Sequence, residues 1–123
     1  MEEIDYFFDT YAIIELIEGN PAYEPYSKHL ATITIFNLAE IYWVTFNKLG
    51  ETEADEIYEQ YKGALVNIND DTLKEAIKFR KKYKNKDLSY ADCIGYIYAR
   101  KHNMKFLTGD KAFENFPNVE FIK

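Results

Sequence analysis

Four acidic residues occupy comparable places in this sequence. Asp9 and Asp110 each follow a short apolar run, and Glu40 and Asp92 each lie near the start of an apolar, helix-like segment. Carboxylates that converge without cations repel one another, so such a group favours binding of a divalent cation. Because all of the ligand atoms would be hard oxygens, the expected cation is Mg²⁺ or Mn²⁺.

The chemistry expected of such a centre is hydrolysis of a phosphodiester. A cation of this kind lowers the pKa of a water molecule and stabilises the charge that develops on the phosphate oxygens. Zinc is not expected, because one cysteine (Cys93) and two histidines (His29 and His102) give no ligand spacing. The sequence also lacks a glycine-rich phosphate loop, a dinucleotide-binding fingerprint and a serine nucleophile elbow.

Three of these acids also have a purely structural explanation as part of a helix start. Asp9 is placed to cap the helix that follows it. Asn37 is predicted to cap the next helix, with Glu40 at the third position of a capping box. Ser89 followed by Asp92 forms the same pattern. A cap and a metal ligand therefore remain alternatives for these acids.

The elements that must position the acids alternate between strands and helices. Strands are predicted at residues 4–8, 31–35, 64–68, 104–108 and 119–122. Helices are predicted at residues 11–19, 38–49 and 52–62, from Asp70 or Asp71 to the lysine-rich run, and from 89 to about 102, with residues 24–30 irregular or a short helix. Because parallel neighbours need crossover helices, this order predicts an α/β fold, with a mainly parallel sheet of about five strands covered by helices on both faces. The carboxyl edge of such a sheet is where sites are built.

Length and composition indicate one folded domain over residues 1–123. Hydrophobic residues make up 47% of the chain and charged residues 29%, as in a globular protein. No signal peptide is expected, and no apolar stretch approaches the roughly 20 residues that span a bilayer. The lone Cys93 has no partner for an internal disulfide, which favours a reducing cytoplasm.

The net charge of −6 hides a segregation of charge along the chain. Residues 1–61 hold two basic and thirteen acidic residues, whereas residues 62–123 hold thirteen basic and eight acidic ones. The most basic run leads directly to Asp87 and comprises Arg80, Lys81, Lys82, Lys84 and Lys86. Such a run is suited to phosphate contacts, and a solvated helix face explains it equally well.

Four motifs in this order resemble those of the PIN-domain family, in particular small VapC-type toxins. They cover nearly the whole chain. In sequence they are Phe8-Asp-Thr, Asn-Leu-Ala-Glu40, Tyr-Ala-Asp92-Cys-Ile-Gly-Tyr-Ile-Tyr-Ala and Phe-Leu-Thr-Gly-Asp110-Lys-Ala-Phe.

The resemblance implies a three-layer fold with strand order 3-2-1-4-5 and a metal-dependent endoribonuclease that acts on RNA. It implies Asp9, Glu40, Asp92 and Asp110 as the catalytic metal ligands. Thr10 and Thr108 are expected to support these ligands, and Phe113 is the expected aromatic residue after the last acid. Asp87 is not part of the core pattern and is given only an outer-shell or phosphate-loop role. The charge of the basic run, and not the resemblance, predicts substrate-binding roles for Lys81, Lys82, Lys84 and Lys86. A homodimer is also implied, with an antitoxin protein whose tail covers the active site.

Two other kinds of protein remain open. A Mg²⁺-dependent phosphatase or receiver-like phosphotransfer domain also uses carboxylates at strand ends, although a receiver needs an acceptor aspartate after its third strand, where this chain has Asn67. A non-enzymatic protein-binding module would explain the acids as caps. Its support is the 11 tyrosines and 9 phenylalanines, because aromatic residues are enriched at interfaces.

Overall fold

The structure is a computed structural model that describes residues 3–123. Its sheet has three parallel strands in the order β1-β2-β3: β1 is Tyr6–Phe8, β2 is Lys105–Thr108 and β3 is Val119–Phe121. Phe7 pairs with Phe106, which in turn pairs with Val119. These strands consist largely of aromatic and branched residues, as expected of buried parallel strands.

Five α-helices are formed by the described part of the chain. They are α1 (Thr10–Ile17), α2 (Ile35–Leu49), α3 (Glu51–Tyr61), α4 (Asp70–Lys82) and α5 (Tyr90–Lys101). Short 3₁₀ segments connect them at Pro21–Lys28, Lys62–Ala64, Lys84–Lys86 and Lys111–Phe113. Within residues 3–123, none of the helices combines the length and the apolar character needed to cross a membrane.

The alternation of side chains along the strands divides the core in two. Phe7 and Phe106 face one side of the sheet, where they pack with α4 and with α5 residues such as Ile94. Phe8 and Leu107 face the other side, where they pack with α1, α2 and α3. The sheet is therefore the middle of three layers, which confirms the predicted α/β fold with helices on both faces.

The prediction of regular strands at the second and third segments, residues 31–35 and 64–68, is wrong. Ile33 and Leu65 make only an isolated parallel bridge, because α2 begins at residue 35 and leaves too few extended residues for a ladder. The backbone N–H of Phe8 still donates to the carbonyl of Thr32 at 2.9 Å. The five segments therefore lie across the sheet in the expected order 3-2-1-4-5, although only three are strands.

The predicted caps of two helices are also wrong. Thr34, rather than Asn37, is the N-cap of α2, and its hydroxyl accepts from the Asn37 backbone N–H. In α4 the cap is Asn69, whose side chain accepts from the Thr72 N–H, rather than Asp70 or Asp71. Thr34 lies three residues before the predicted cap of α2, and Asn69 lies directly before Asp70. Because these neutral side chains satisfy the free amides, Glu40, Asp70 and Asp71 have no capping role.

Candidate metal centre

Asp9 lies directly after β1 and is only 2% exposed. It occupies the N-cap position of α1, yet its side chain makes no capping hydrogen bond. Its Oδ2 accepts from the Thr108 hydroxyl at 2.7 Å, and its Oδ1 is buried without a hydrogen-bond partner. A buried carboxylate oxygen without a partner is costly, so the predicted cap does not explain this residue.

Glu40 lies one turn further into α2 than a capping box requires. Because Thr34 is the cap, the third helical position belongs to Asn37 and not to Glu40. The Glu40 Oε1 instead accepts from the Thr10 hydroxyl at 2.6 Å. The prediction that Glu40 completes a capping box is therefore wrong, and its carboxylate is directed to the start of α1 beside Asp9.

Asn37 lies beside the candidate site, although the sequence predicted it only as a helix cap. Its side chain is fully buried, and its Nδ2 donates to the Thr10 hydroxyl at 3.1 Å. Its Oδ1 accepts from the Thr34 hydroxyl at 2.9 Å. Asn37 thus holds the hydroxyl that binds Glu40. The spacing Thr34-x-x-Asn37, which matches Ser89-x-x-Asp92, is the signal that could have identified it.

Asp92 is both a cap residue and a member of the acidic group. Its Oδ2 accepts from the Ser89 N–H at 2.9 Å, and its own N–H donates to the Ser89 hydroxyl at 3.0 Å, which confirms the predicted capping box. Burial nevertheless raises the pKa of Asp92 to about 6, with the charges of Glu40 and Asp110 adding to the shift and the bonds to Ser89 opposing it. The two explanations of this residue are therefore compatible.

Asp110 is held beside Asp9 by a shared threonine. The Thr108 hydroxyl accepts from the Asp110 N–H at 3.1 Å while it donates to Asp9. The Asp110 Oδ1 accepts from the Ala112 N–H at 3.0 Å and caps the 3₁₀ turn that follows. Between them, Gly109 is required because a Cβ there would collide with the Ile122 carbonyl oxygen and with a neighbouring tyrosine ring.

The electrostatics of this group are those of neighbouring anions. Burial raises the pKa of Asp9 well above its usual range, and the charges of Asp92, Glu40 and Asp110 raise it further, while the bond from Thr108 lowers it. Within the described chain the ion pairs are Lys48–Glu18 and Lys62–Glu59. No acid of the cluster has a basic partner there, so its negative charge is not neutralised by the protein.

The donor set fits a hard divalent cation in type and charge. A cleft of about 360 Å³ opens beside the acids and is lined by Asp9, Asp92 and Asp110 together with Thr10 and other residues of α1 and α2. Within residues 3–123, no group of three acidic, histidine or cysteine side chains is arranged closely enough to hold a metal ion without rearrangement. A cation that keeps several of its waters needs fewer protein ligands around it, and the buried Asp9 Oδ1 is an oxygen to which no protein group donates.

The remaining predicted residues lie outside this cleft. Asp87 is exposed in a left-handed conformation with φ 56°, and it does not line the cleft beside the acids. The side chains of Lys82 and Lys86 lie over the rings of Tyr83 and Phe116, at 5.4 and 5.3 Å from the ring centroids. A separate depression of about 290 Å³, called the basic cleft below, is lined by Ile77, Arg80, Lys81, Lys84, Asp87, Leu88 and Tyr90.

Phe113, the expected aromatic after the last acid, belongs to the core. It is fully buried and packs on Phe106 with ring centroids 4.8 Å apart. It anchors the turn that Asp110 caps, so its role in the structure is to position that acid.

The fold and the acids together define the class of protein. A three-layer α/β domain carries four carboxylates at the carboxyl edge of its parallel strands. The family model described as "PIN domain" matches residues 6–119. The chain therefore belongs to the PIN domain family. No curated protein sequence matches it significantly.

Several solved structures share this fold at low sequence identity. A toxin–antitoxin complex from Klebsiella pneumoniae is 21% identical with a TM-score of 0.73, covering 94% of this chain and 96% of that chain. VapC20 from Mycobacterium tuberculosis, described as a sarcin-ricin loop cleaving toxin, is 14% identical with a TM-score of 0.74 and coverages of 94% and 99%. VapBC2 from Rickettsia felis, bound to a DNA fragment from its promoter, is 15% identical with a TM-score of 0.71 and coverages of 97% and 98%.

Proposed function

We propose that this chain is a metal-dependent endoribonuclease and the toxin of a toxin–antitoxin pair. The observation that carries the proposal is the buried Asp9 Oδ1, which has no protein partner although three further carboxylates raise the pKa of its group. An arrangement of this kind is explained by a cation that the folded chain is built to receive. Membership of the PIN domain family, and similarity in fold to the VapC20 toxin, support the same activity.

In this proposal Asp9, Glu40, Asp92 and Asp110 hold Mg²⁺ or Mn²⁺. When bound, such a cation supplies the positive charge that activates a water molecule and offsets the charge developing on the phosphate oxygens.

The chain's own polar residues keep these carboxylates in place before any substrate arrives. The Thr108 hydroxyl links Asp9 to the Asp110 backbone, and the Thr10 hydroxyl fixes Glu40. Because ligand orientation is set in this way by outer-shell hydrogen bonds, both threonines act as positioning residues.

The proposed substrate is single-stranded or looped RNA. The acids are recessed, and an unstacked strand lets a phosphate reach them where a regular duplex does not. Lys81, Lys82, Lys84 and Lys86 are exposed on the neighbouring surface and would neutralise flanking phosphates. Asp87 lies among these lysines rather than beside the cleft of the acids, so its proposed role moves from the metal centre to the substrate path.

We also propose an antitoxin partner, a homodimer and a cytoplasmic location. The support for a protein partner is a set of exposed apolar side chains along one helix, α2: Ile35, Phe36, Trp43, Phe46 and Leu49. Exposed apolar surface of this extent is typical of an interaction site. The cytoplasm is proposed because the single cysteine of the sequence, Cys93, is buried as a free thiol.

Metal titration tests the central part of the proposal. Thermal unfolding of the purified chain should shift to higher temperature with Mn²⁺ in a saturable way, since a ligand that binds only the folded state stabilises it by mass action. A looped RNA should be cut when Mn²⁺ or Mg²⁺ is present and left intact in excess EDTA. Robust cleavage in EDTA by pure protein would contradict metal dependence.

The same assay separates the alternative functions. Release of phosphate from a phosphomonoester, with the RNA left intact, would favour the phosphatase reading. A chain with no saturable Mn²⁺ stabilisation and no cleavage would favour the protein-binding module. The matched control is Asp5→Asn, which removes an exposed carboxylate near β1 and should leave both the metal response and the cleavage rate unchanged.

A further inference from the structure

Tyr90 has a position that neither core nor metal centre explains. It is the first residue of α5, its side chain is 56% exposed, and it belongs to neither buried cluster. The guanidinium carbon of Arg80 lies 4.4 Å from the centroid of its ring. The exposed ring is therefore paired with a cation at the edge of the basic cleft.

The Arg80 side chain is held in this place before any ligand binds. Its Nε donates to the Leu88 carbonyl at 2.8 Å, and Leu88 is itself buried. This hydrogen bond uses one donor of the guanidinium and leaves the terminal N–H groups available. The Arg80 guanidinium and the Tyr90 ring therefore form a planar, positively charged pair. Because the guanidinium is already fixed, little further ordering of the pair is needed when a ligand binds.

The pair and the acids lie at the two sides of the start of α5, in separate clefts. Tyr90 and Asp92 are two residues apart, so they flank the start of α5 about 200° apart around its axis. A strand that crosses the start of α5 would meet the pair and the acids in succession.

We propose that Tyr90 and Arg80 form a stacking platform for an unpaired base of the RNA, next to the phosphate that is cut. The inference rests on the proposed function and adds a substrate contact to it. Exposed aromatic rings and arginine planes are the groups on which proteins stack unpaired bases. In the same cleft Lys81 and Lys84 supply charge for the backbone, while Asp87 only accepts hydrogen bonds and repels phosphate. A base edge with an amino group fits beside Asp87 better than a phosphate does.

Fluorescence of a single-stranded RNA that carries 2-aminopurine tests the platform. The RNA is mixed with protein in EDTA, so that it is not consumed, and binding and quenching are measured together. Wild type and Tyr90→Phe should quench the base, because both rings stack. Tyr90→Leu should lose the quenching and bind roughly tenfold more weakly, because one base–aromatic stack is lost.

Two controls isolate the stacking contribution. Leu30→Ala removes another exposed apolar side chain, 94% exposed and outside both clefts, and should bind and quench as wild type does. An RNA that lacks a base at the quenched position should bind wild type and Tyr90→Leu equally. Unfolding curves of the Tyr90 variants should match that of wild type, since this side chain is outside the core.

The outcomes separate this inference from the proposed function. If wild type cuts RNA with Mn²⁺ while Tyr90→Leu binds and quenches normally, the platform is wrong and the nuclease stands. If wild type neither binds nor cuts any RNA with Mn²⁺, both are wrong. If Tyr90→Leu dissociates a dimer but still quenches, the surface is a contact between copies of the chain, which also overturns the platform.

Discussion

The acidic centre and the basic cleft lie at the two sides of the start of α5, and they are built in opposite ways. In the acidic centre the side chains are partly or wholly buried, and each has a specified partner: Thr108 for Asp9, Thr10 for Glu40, Ser89 for Asp92 and the Ala112 N–H for Asp110. In the basic cleft Lys81 and Lys84 are exposed. No ion pair to either lysine is found in the described part of the chain.

The difference follows from what each surface is proposed to bind. A small divalent cation needs several oxygens at fixed positions, so the chain orders those oxygens in advance, although their mutual repulsion destabilises the metal-free fold. A flexible polyanion needs only charge of the right sign nearby, which exposed lysines supply without being ordered. Substitutions in the centre should therefore affect stability and cleavage in opposite directions, whereas substitutions in the cleft should affect binding alone.

The largest expected effect is that of Asp9→Asn. The change removes the anionic ligand whose Oδ1 has no partner and leaves an oxygen that can still accept from Thr108. Cleavage should fall by more than about 100-fold, since even outer-shell changes at metal sites reduce activity or metal affinity by about 10–100-fold. Thermal unfolding without metal should occur at the same or a higher temperature, because a buried repulsive charge is gone, and the Mn²⁺ shift should disappear.

The comparison for this variant is Asp5→Asn, which changes an exposed carboxylate of the same type. It should behave as wild type in both measurements. Normal cleavage by Asp9→Asn, or a clear loss of its stability without metal, would contradict the proposed difference between the acidic centre and the basic cleft.

The second expected effect concerns Asp92 and pH. With a folded-state pKa of about 6 against an ordinary value of 3.8, the folded state binds more protons than the unfolded state between about pH 4 and pH 6. The free energy of unfolding of the metal-free protein should therefore decrease as pH rises through this window, and stay at the lower value above it. The contribution of Asp92 is at most about 3 kcal/mol, since one pKa unit corresponds to about 1.4 kcal/mol.

Asp92→Asn should flatten that dependence. Its amide oxygen can still accept from Ser89, so the cap is kept, while the lost favourable charge at the helix start costs about 0.3–1 kcal/mol. Denaturant unfolding without metal should give a variant more stable than wild type near pH 7 and no more stable near pH 4. Asp71→Asn, at an exposed first-turn position of α4, is the matched control and should show no gain. A destabilised Asp92→Asn with normal Mn²⁺ stabilisation would reduce Asp92 to a cap.

The smallest expected effect is that of replacing Lys81, Lys82 and Lys84 together with Gln. RNA binding should weaken, and the slope of log affinity against log salt should decrease by up to about 2, because each contact with a single strand contributes about 0.7 to the slope. The free energy of unfolding should hardly change, since the replaced side chains are exposed.

The matched control replaces three exposed lysines outside the basic cleft, Lys28, Lys74 and Lys101, and makes the same change in net charge. If both triple variants alter the salt slope equally, the basic run acts only through overall charge. If neither alters it, the lysines form a solvated helix face.

Where the prediction depended on residues close in sequence, it succeeded when the spacing admitted one solution. Ser89 and Asp92 form the expected capping box, because a serine and an acid three residues apart were the polar groups available to that helix start. At α2 both Thr34 and Asn37 were available, and the choice of Asn37 as cap shifted the helix start by three residues. Because the helix was predicted to begin three residues too late, Glu40 was predicted as a capping-box residue. For the same reason residues 31–35 were predicted as a full strand.

By itself the sequence determined the order of the elements, the apolar pattern of the two core faces and the candidate acids, since these depend on periodicity and on residue type. The tertiary structure alone decided which side chains from distant parts of the chain meet. The Thr10–Glu40 bond joins residues 30 apart in sequence, and the Thr108–Asp9 bond joins residues 99 apart. Local spacing carries no information on such pairs, because they form only when the parallel strands and their crossover helices bring distant chain segments to one edge of the sheet. The unpartnered Asp9 Oδ1 is a property of that packing, and for this reason it became visible only in the fold.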